Sequence, residues 1–297
     1  MSLKHKILII DTSSLFYRLV FSMPDLSTSE EDAQTHILFG FVKDVLALAK
    51  KFNTNKFIFC FDTKESKRKQ MFPSYKMKRN SKKQERTKEE IESFKEAFRQ
   101  FNLLQHEILP DLGFKNCFVD PGFESDDIVA DIVFAYSEDC EFVLISKDED
   151  FYQLLDHCSM YNIKTQEFYT KQDLLNEYGI IPEQYAIALA HSGCSTDEIP
   201  GVEGVGVKTA CKYLLGQLKS TSKKYQDIVS EEGKKIYERN LPLVKLPLEG
   251  TKEFEIDFTE KFKLSSFIEL CEEMKFRSLL RNDSINIWST IFVKDNK

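Results

Sequence analysis

Carboxylates follow directly after several strand-like apolar runs of this 297-residue chain. Asp11 follows the run ILII, Asp62 follows FIFCF, and Asp148 and Asp150 follow FVLIS. If these runs are parallel strands, their carboxyl ends meet at one edge of a sheet, where such sheets bind ligands. The sequence therefore predicts that these carboxylates converge on one site.

Further acids lie at the start of a predicted helix and in a turn. The segment GFESDDIVA places Glu124, Asp126 and Asp127 in the first helical turn, and GCSTDEIPG contributes Asp197. Like charges held together repel one another unless they are protonated or bridged by cations. Mg²⁺ or Mn²⁺ is the expected cation because both prefer carboxylate and water oxygens. Taken singly, the same acids could be helix N-terminal residues or turn formers.

The predicted chemistry is hydrolysis of a phosphodiester. Two divalent ions about 3.5 to 4 Å apart can activate a water and stabilise the leaving oxygen. No His or Ser nucleophile is needed, and the five histidines form no ligand pattern with Glu or Cys. The seven cysteines are widely spaced without a CxxC pair, which indicates neither a zinc site nor a disulfide framework.

A basic segment follows Asp62. The net charge of −7 argues against a protein that coats nucleic acid through overall charge, but residues 64–88 contain eleven Lys or Arg and two acids. A charge run can simply be a solvated face. Next to a carboxylate, however, Arg68, Lys76 and Arg79 are candidates to pair with phosphate oxygens, and Tyr75 to stack on a base.

A glycine-rich stretch is the second feature that predicts nucleic-acid binding. In IPGVEGVGVKTACKYLL three glycines form a predicted hairpin that opens a helix near Lys208. Closely spaced glycines let backbone amides approach phosphates, and a helix N-terminus adds a favourable dipole. The residues predicted here to contact nucleic acid are Gly204, Gly206, Lys208 and Thr209.

The order of the elements indicates an α/β fold. Strands are predicted at residues 7–10, 57–61, 116–119 and 142–145, separated by helical stretches such as 33–50, which favours a mostly parallel sheet flanked by helices. Further helices are predicted at 173–178 and 182–190. No apolar run is long enough to span a bilayer, and the start leads into a strand instead of a signal peptide, so a cytoplasmic location is expected.

Several segments, in this order, resemble the 5′ nucleases, that is, the flap endonucleases and the 5′-nuclease domain of bacterial DNA polymerase I. They are ILIIDTSSLFYR, FDTKESKRKQMFPSYKMKR, GFESDDIVA, ISKDEDFYQLL, DEIPGVEGVGVKTA and EEMKFRSLL. The resemblance runs from Ile7 to about Arg281. It implies a PIN-like α/β catalytic domain over residues 1–180, a helical arch at about 77–101, and a helix-three-turn-helix DNA-binding module with a C-terminal region over 181–297.

The resemblance also implies roles for the site residues. The first metal would be held, directly or through water, by Asp11, Asp62, Glu124 and Asp126, with Asp127 and Asp148 close by. Asp150 and Asp197 would hold the second metal. Lys76 would face the scissile phosphate with Arg79 and Tyr75 beside it, and carbonyls around Val202 to Val205 would hold a K⁺ ion.

One position departs from the family. Where the family usually reads G-D-x-S-D-N, this chain reads GCSTDE over residues 193–198, so Cys194 replaces a second-metal acid. A thiol is a poor partner for Mg²⁺. We expect an intact first metal site and a weakened second one, and higher activity at low Mg²⁺ when Asp is restored at position 194.

The predicted function is a magnesium-dependent, structure-selective 5′ nuclease of replication and repair, with 5′-3′ exonuclease and flap endonuclease activity. Its predicted partners are DNA with 5′ flaps, 5′ overhangs or nicks, and a DNA polymerase acting in trans; no membrane is involved. One alternative is a relative that binds branched DNA but has lost catalysis through Cys194. Another is a PIN-type ribonuclease, which would not be expected to carry the GVEGVGVKTA hairpin.

Overall fold

The computed structural model describes residues 4–22, 35–78 and 86–293. The chain forms two compact units. Unit 1 comprises Met1–Phe61, Arg86–Phe118 and Glu255–Lys297, and unit 2 comprises Asp62–Glu85 and Val119–Phe254.

The elements run in the following order. The first are β1 (His5–Asp11), α1 (Thr12–Ser22), α2 (His36–Phe52), β2 (Phe57–Phe61), α3 (Lys67–Met71), α4 (Lys88–Leu103), α5 (Leu109–Leu112), β3 (Cys117–Val119), α6 (Ser125–Tyr136), β4 (Cys140–Ile145), β5 (Cys158–Asn162) and β6 (Glu167–Tyr169). The others are α7 (Lys171–Tyr178), α8 (Tyr185–Ser192), β7 (Gly193–Cys194), β8 (Ile199–Pro200), α9 (Val207–Leu214), α10 (Lys223–Val229), α11 (Glu231–Val244), α12 (Leu264–Glu273) and α13 (Asn282–Ile287). Short 3₁₀ turns occupy Glu149–Leu154 and Pro182–Gln184, and π-helical turns occupy Leu104–Ile108 and Trp288–Val293.

In unit 1 the strands lie in the order β3-β2-β1. β1 and β2 are parallel, with Leu8 opposite Phe57 and Asp11 opposite Cys60. Both strands read as continuous apolar runs because both faces of a parallel sheet are covered, and every residue of β2 is buried. Helices α1, α2 and α4 contact one another. The parallel geometry places Asp11 at the carboxyl end of its strand.

Aromatic rings fill much of the unit 1 core. Phe114 lies 4.8 Å from Phe262 and 5.8 Å from Phe292, measured between ring centroids. Trp288 is stacked 4.4 Å from Phe292 and is fully buried. The segment near the C-terminus therefore contributes directly to this core, through aromatic surface that is among the most stabilising a protein can bury.

In unit 2 the strands lie in the order β4-β5-β6. β4 and β5 are parallel, with Phe142 opposite Cys158, and β5 and β6 are antiparallel. At the start of helix α6 the Asp127 carboxylate accepts from the amide of Glu124 at 3.1 Å, and the amide of Asp127 donates to the Glu124 backbone carbonyl at 3.1 Å. The 3₁₀ turn Glu149–Leu154 begins just after β4, and Asp148 caps it. Both acidic segments are thus fixed by local backbone geometry.

A helical group with a short hairpin completes unit 2. Helix α8 packs against α9 and α11, and β7 pairs antiparallel with β8. The fully buried Asn240 of α11 donates to the carbonyls of Ala190 and Pro200, 3.0 Å from each. These bonds tie the hairpin to the helices, since a buried amide must be satisfied.

The predicted α/β class with a mostly parallel sheet flanked by helices is confirmed, and the four predicted strands are present with ends shifted by at most two residues. The helices predicted at 173–178 and 182–190 correspond to α7 and to the 3₁₀ turn followed by α8. The division into domains at residue 180 stays a prediction, as does the arch, part of which (79–85) lies outside the described residues. Among the helices that are described, none has both the length and the apolar character needed to cross a bilayer.

Candidate active site

The N-terminus of α6 is anchored by a buried ion pair. Arg68 donates to both carboxylate oxygens of Asp127, at 2.6 and 2.7 Å, and its Nε donates to the carbonyl of Leu243 at 2.9 Å. Asp127 also accepts from the backbone amides of Glu124 and Leu248. A carboxylate with four donors has no free lone pair to offer, so Asp127 fixes the backbone around Glu124 and Asp126.

The Glu124 carboxylate accepts hydrogen bonds from a phenol and from an ammonium group. Its Oε2 accepts from the Tyr75 hydroxyl at 2.8 Å and from Lys76 Nζ at 2.8 Å. Burial favours the neutral acid, but Lys76 and Arg68 outweigh it, so the pKa of Glu124 lies below its usual range. Glu124 is therefore held as an anion.

The turn after β7 presents a second group of ligand atoms. The amide of Asp197 donates to the carbonyl of Cys194 at 3.2 Å, which closes the turn, and the amide of Lys76 donates to the carbonyl of Asp197 at 3.0 Å. Cys194 and Asp197 thereby come together with Asp150 of the 3₁₀ turn, and one ligand atom from each lies within 4.8 Å of the others. Two acids and a thiol can together coordinate a metal ion.

Burial and mutual repulsion perturb this group. Burial, followed by the charges of Asp148 and Asp197, raises the pKa of Asp150 to about 7. Burial, followed by Asp150 and Asp197, raises the pKa of the Cys194 thiol to about 11. A divalent cation would relieve this repulsion, because it stabilises the ionised form of every group that it touches.

A narrow cleft joins the two groups. Its lining includes Asp126, Asp150, Cys194 and Asp197, together with Arg68, Tyr75 and Glu124. Ile199, Leu243, Val244 and Leu246 form its apolar part. The cleft therefore combines carboxylates with a low-dielectric wall, which strengthens electrostatic interactions within it.

Of the remaining predicted metal ligands, Asp62 and Asp148 lie in unit 2 and Asp11 lies in unit 1. The Asp62 carboxylate accepts from the amide of Ser125 at 2.7 Å, and Asp148 accepts from the amide of Asp150 at 3.0 Å. Both Asp62 and Asp148 are exposed. Asp11 belongs to unit 1, where it is 5% exposed and accepts from the amide of Ser14. Arg79 lies outside the described residues.

Three predicted roles do not agree with this geometry. Arg68 is 3% exposed and bound to Asp127, so its guanidinium is not available to a DNA phosphate. Tyr75 is 2% exposed, so its ring cannot stack on a base, and its hydroxyl bridges Glu124 and Asp197 instead. Asp127 has its oxygens occupied by Arg68 and backbone amides, so we assign it to the scaffold and not to a metal.

The predicted glycine hairpin exposes two of its glycines to solvent. Gly204 is exposed with φ +71°, and exposed Gly206 precedes α9 with open space where a side chain would begin. Lys208 is exposed, and its ammonium lies 3.6 Å from a Glu177 oxygen. Thr209 donates its amide to the carbonyl of Gly206. Their DNA contacts, and the K⁺ site at Val202 to Val205, stay predictions.

Gln153 is a positioning residue that the sequence did not indicate. Its amide group donates to the carbonyl of Val244 at 3.1 Å and accepts from the amide of Leu246 at 2.8 Å. It thereby holds the backbone that lines the apolar part of the cleft. No local pattern could have identified this role, because the Val244 and Leu246 partners lie more than ninety positions away.

Comparisons with known proteins identify a family and similar folds. Residues 6–179 match the family model described as the 5′-3′ exonuclease, N-terminal resolvase-like domain. A 5′-3′ exonuclease of Aquifex aeolicus is 29% identical over 287 residues, which covers 92% of this chain and 93% of that protein. Among solved structures, the bacteriophage T5 5′-exonuclease with bound zinc is similar with a TM-score of 0.68 and 23% identity, covering 95% of this chain and 99% of that one. The T5 flap endonuclease in complex with DNA and metal ions gives a TM-score of 0.67 and 23% identity over the same shares. These structures show the fold, and the PIN-like α/β class is confirmed.

Proposed function

Because the chain belongs to the 5′-3′ exonuclease family, we propose that it is a structure-selective 5′ nuclease that hydrolyses DNA phosphodiesters with divalent cations. The observation that supports this most strongly is the cleft of unit 2, which Asp126, Asp150 and Asp197 line and where the ammonium of Lys76 lies 3.6 Å from an Asp197 oxygen. A phosphodiester is an anion when it is attacked. Carboxylates that bind cations beside a fixed positive charge can therefore stabilise the negative charge of its hydrolysis.

The residues present fit a divalent cation. The ligand atoms of Asp150, Cys194 and Asp197 already converge, and the raised pKa of Asp150 reflects burial beside other carboxylates. We propose that Asp126, Asp150 and Asp197 hold Mg²⁺ or Mn²⁺, with Asp62, Glu124 and Asp148 as further direct or water-mediated ligands. The role of Asp11 stays a prediction. When bound, such ions lower the pKa of a water and stabilise the leaving oxygen.

Lys76 is proposed as the residue whose ammonium contacts the scissile phosphate. Its backbone has φ +53°, a strained conformation for a residue other than glycine, and its amide is bound to the Asp197 carbonyl. The ammonium lies 2.8 Å from Glu124 and 3.6 Å from Asp197, so it sits at the edge of the acidic group. From there it can turn to a phosphate oxygen and balance the charge of the transition state.

The proposed substrate is DNA with a 5′ flap, a 5′ overhang or a nick. Gly204 and Gly206 would present backbone amides to a phosphate, with Lys208 and the basic segment 64–88 adding charge. The T5 neighbour solved with DNA supports a DNA substrate. A polymerase acting in trans stays a prediction.

The alternative of a DNA-binding relative without catalysis is not favoured. Tyr75, Lys76 and Glu124 are in direct contact, and Asp150 and Asp197 converge beside them, so the acidic site is assembled despite Cys194. The ribonuclease alternative is opposed by the family match over residues 6–179 and by the glycine hairpin.

A substrate series tests the proposal. We expect the chain to cut a 5′-labelled 5′-flap duplex and a nicked duplex in Mg²⁺, and to leave a matched 3′-flap duplex uncut. Chelation of the metal should abolish cutting. Equal cutting of 5′ and 3′ flaps would contradict the proposed selectivity, and binding of the 5′ flap with no cutting in either Mg²⁺ or Mn²⁺ would favour the non-catalytic alternative.

A further inference from the structure

We propose that Asp150, Cys194 and Asp197 form a cation site that prefers Zn²⁺ to Mg²⁺. This inference rests on the proposed function, in which divalent cations occupy the cleft, and it specifies which cation this part of the cleft selects. It follows from the chemistry and position of one sulfur atom.

The three ligand atoms come from two independently fixed segments. Asp150 belongs to the 3₁₀ turn that Asp148 caps, and the closed turn from Cys194 to Asp197 supplies the other two. All three lie within 4.8 Å of one another. In tetrahedral geometry, with bonds of about 2.0 to 2.3 Å, zinc ligand atoms are roughly 3.5 Å apart. Side-chain rotations that move the ligand atoms by about one ångström would therefore complete the site.

The hairpin backbone directs the thiol into the cleft. Gly193 has φ +72°, and a Cβ there would lie 2.3 Å from the carbonyl oxygen of Ile199. The glycine therefore permits close pairing of β7 with β8, in which Cys194 is opposite Ile199. Sγ lies 3.0 Å from the Thr196 hydroxyl, and the residue lines the cleft with Asp126 and Asp197.

Glu198 does not replace the missing carboxylate. Its Oε2 accepts from the amide of Lys78 at 2.9 Å, and it is outside the group of converging ligands. Its backbone has φ +59°, which helps to direct the side chain to Lys78. Sulfur is therefore the third protein ligand of the triad.

Sulfur changes which cation the triad prefers. Mg²⁺ requires near-ideal octahedral oxygen coordination, whereas Zn²⁺ is stable with thiolate and carboxylate ligands and with three protein ligands plus water. On binding, the thiol proton passes to solvent as the zinc–sulfur bond forms, so the reaction consumes no oxidant or reductant. The two carboxylates and the thiolate then leave one coordination position open.

Cobalt spectroscopy tests the sulfur ligand without relying on activity. Co²⁺ titrated into the reduced 297-residue chain should produce a near-ultraviolet sulfur-to-cobalt charge-transfer band that Zn²⁺ removes. Cys194→Ser and Cys194→Asp should lack the band. Cys158→Ser is the matched control and should keep the band, because Cys158 is also half-buried in unit 2 but its thiol donates to the Leu154 carbonyl.

Calorimetry gives the affinities. Cys194→Ser should weaken Zn²⁺ binding about tenfold or more, the loss seen even for residues that only support a metal ligand. Cys194→Asp should bind Mg²⁺ more tightly than the native chain. A native chain that binds Co²⁺ without the sulfur band, or a Cys194→Ser variant with native Zn²⁺ affinity, would overturn the inference. Normal Mg²⁺-dependent cutting with no sulfur band would refute the zinc preference alone, whereas a sulfur band with no cutting would refute the proposed function alone.

Discussion

Arg68 and Asp127 are joined by two hydrogen bonds of 2.6 and 2.7 Å, although they are 59 positions apart in the sequence and almost fully buried. The pair links α3 to the N-terminus of α6, where Glu124 and Asp126 begin the acidic cleft. Removal of one partner leaves a buried charge without compensation.

We therefore expect Arg68→Ala to lower the free energy of unfolding by about 3 to 5 kcal/mol. Urea denaturation measures this. Lys223→Ala is the control, because Lys223 is an exposed lysine that pairs with Asp227 on the surface of the same unit, and it should unfold at the native urea concentration. An Arg68→Ala variant as stable as Lys223→Ala would show that the ion pair does not anchor α6.

Lys76 should affect the rate of cleavage more than stability. Lys76→Asn removes the ammonium but keeps a residue type that tolerates the left-handed backbone observed at φ +53°. We expect the single-turnover rate on a 5′ flap to fall by about 10²- to 10³-fold, the usual loss for a charge aimed at a transition state. Lys164→Asn removes the same charge from an exposed lysine of unit 2 outside the basic segment and should keep a rate within a fewfold of native. Equal losses in both variants would refute a specific role for Lys76.

Two glycines of the hairpin region should behave differently. A Cβ at Gly201 would lie 2.1 Å from the backbone carbon of Ser192, whereas at Gly206 it would meet nothing within 4 Å. Gly201→Ala should therefore destabilise the chain by about 1 to 3 kcal/mol through overpacking. Gly206→Ala should fold with native stability and bind flap DNA more weakly, as measured by fluorescence anisotropy. Native DNA affinity in Gly206→Ala would argue against a backbone–phosphate contact at this position.

Glu260 should make the stability of the chain depend on pH. This residue is 2% exposed; Oε1 accepts from the amides of Lys115 and Asn116, and Oε2 has no hydrogen-bond partner among the described residues. Burial raises the pKa of Glu260 from 4.5 to about 7. The native state thus binds more protons than the unfolded state between these values, so stability should fall by about 3 kcal/mol as pH rises from 4.5 to 7 and stay level above.

Glu260→Gln should remove this slope, because its amide oxygen can accept the same two bonds without ionising. Thermal or urea unfolding at several pH values, compared with the exposed control Glu255→Gln, measures the difference. A native slope that persists in Glu260→Gln would mean that another group is responsible.

The sequence predicted those features that depend on local pattern. The apolar runs before Asp11, Asp62 and Asp148 identified three strands, since a buried parallel strand must be apolar on both faces. Strands β5 and β6 were not predicted, because CSMYN and EFY are short and partly polar. Their pairing is decided by neighbouring strands and not by their own composition.

Long-range partners could not be predicted. The basic character of Arg68 indicated a phosphate contact, and only its burial against Asp127 shows that it has a structural role. The tail beyond Arg281 had no assignable pattern, yet Trp288 and Phe292 lie in the core of unit 1, because aromatic side chains reach the interior from π-helical and irregular segments as well. Which side chains become buried in this way depends on which surfaces remain exposed after the sheet has formed.

The most direct test of the account is cleavage of a 5′-labelled flap by the native chain and by Asp126→Ala, with and without Mg²⁺. Asp126 lines the acidic cleft, and Asp139→Ala, an exposed acid in the turn after α6, is the control. We predict cutting only in Mg²⁺, native rates in Asp139→Ala, and a loss of at least about a hundredfold in Asp126→Ala. Cutting that persists after metal is removed, or native activity in Asp126→Ala, would contradict a nuclease that works through cations held by these carboxylates.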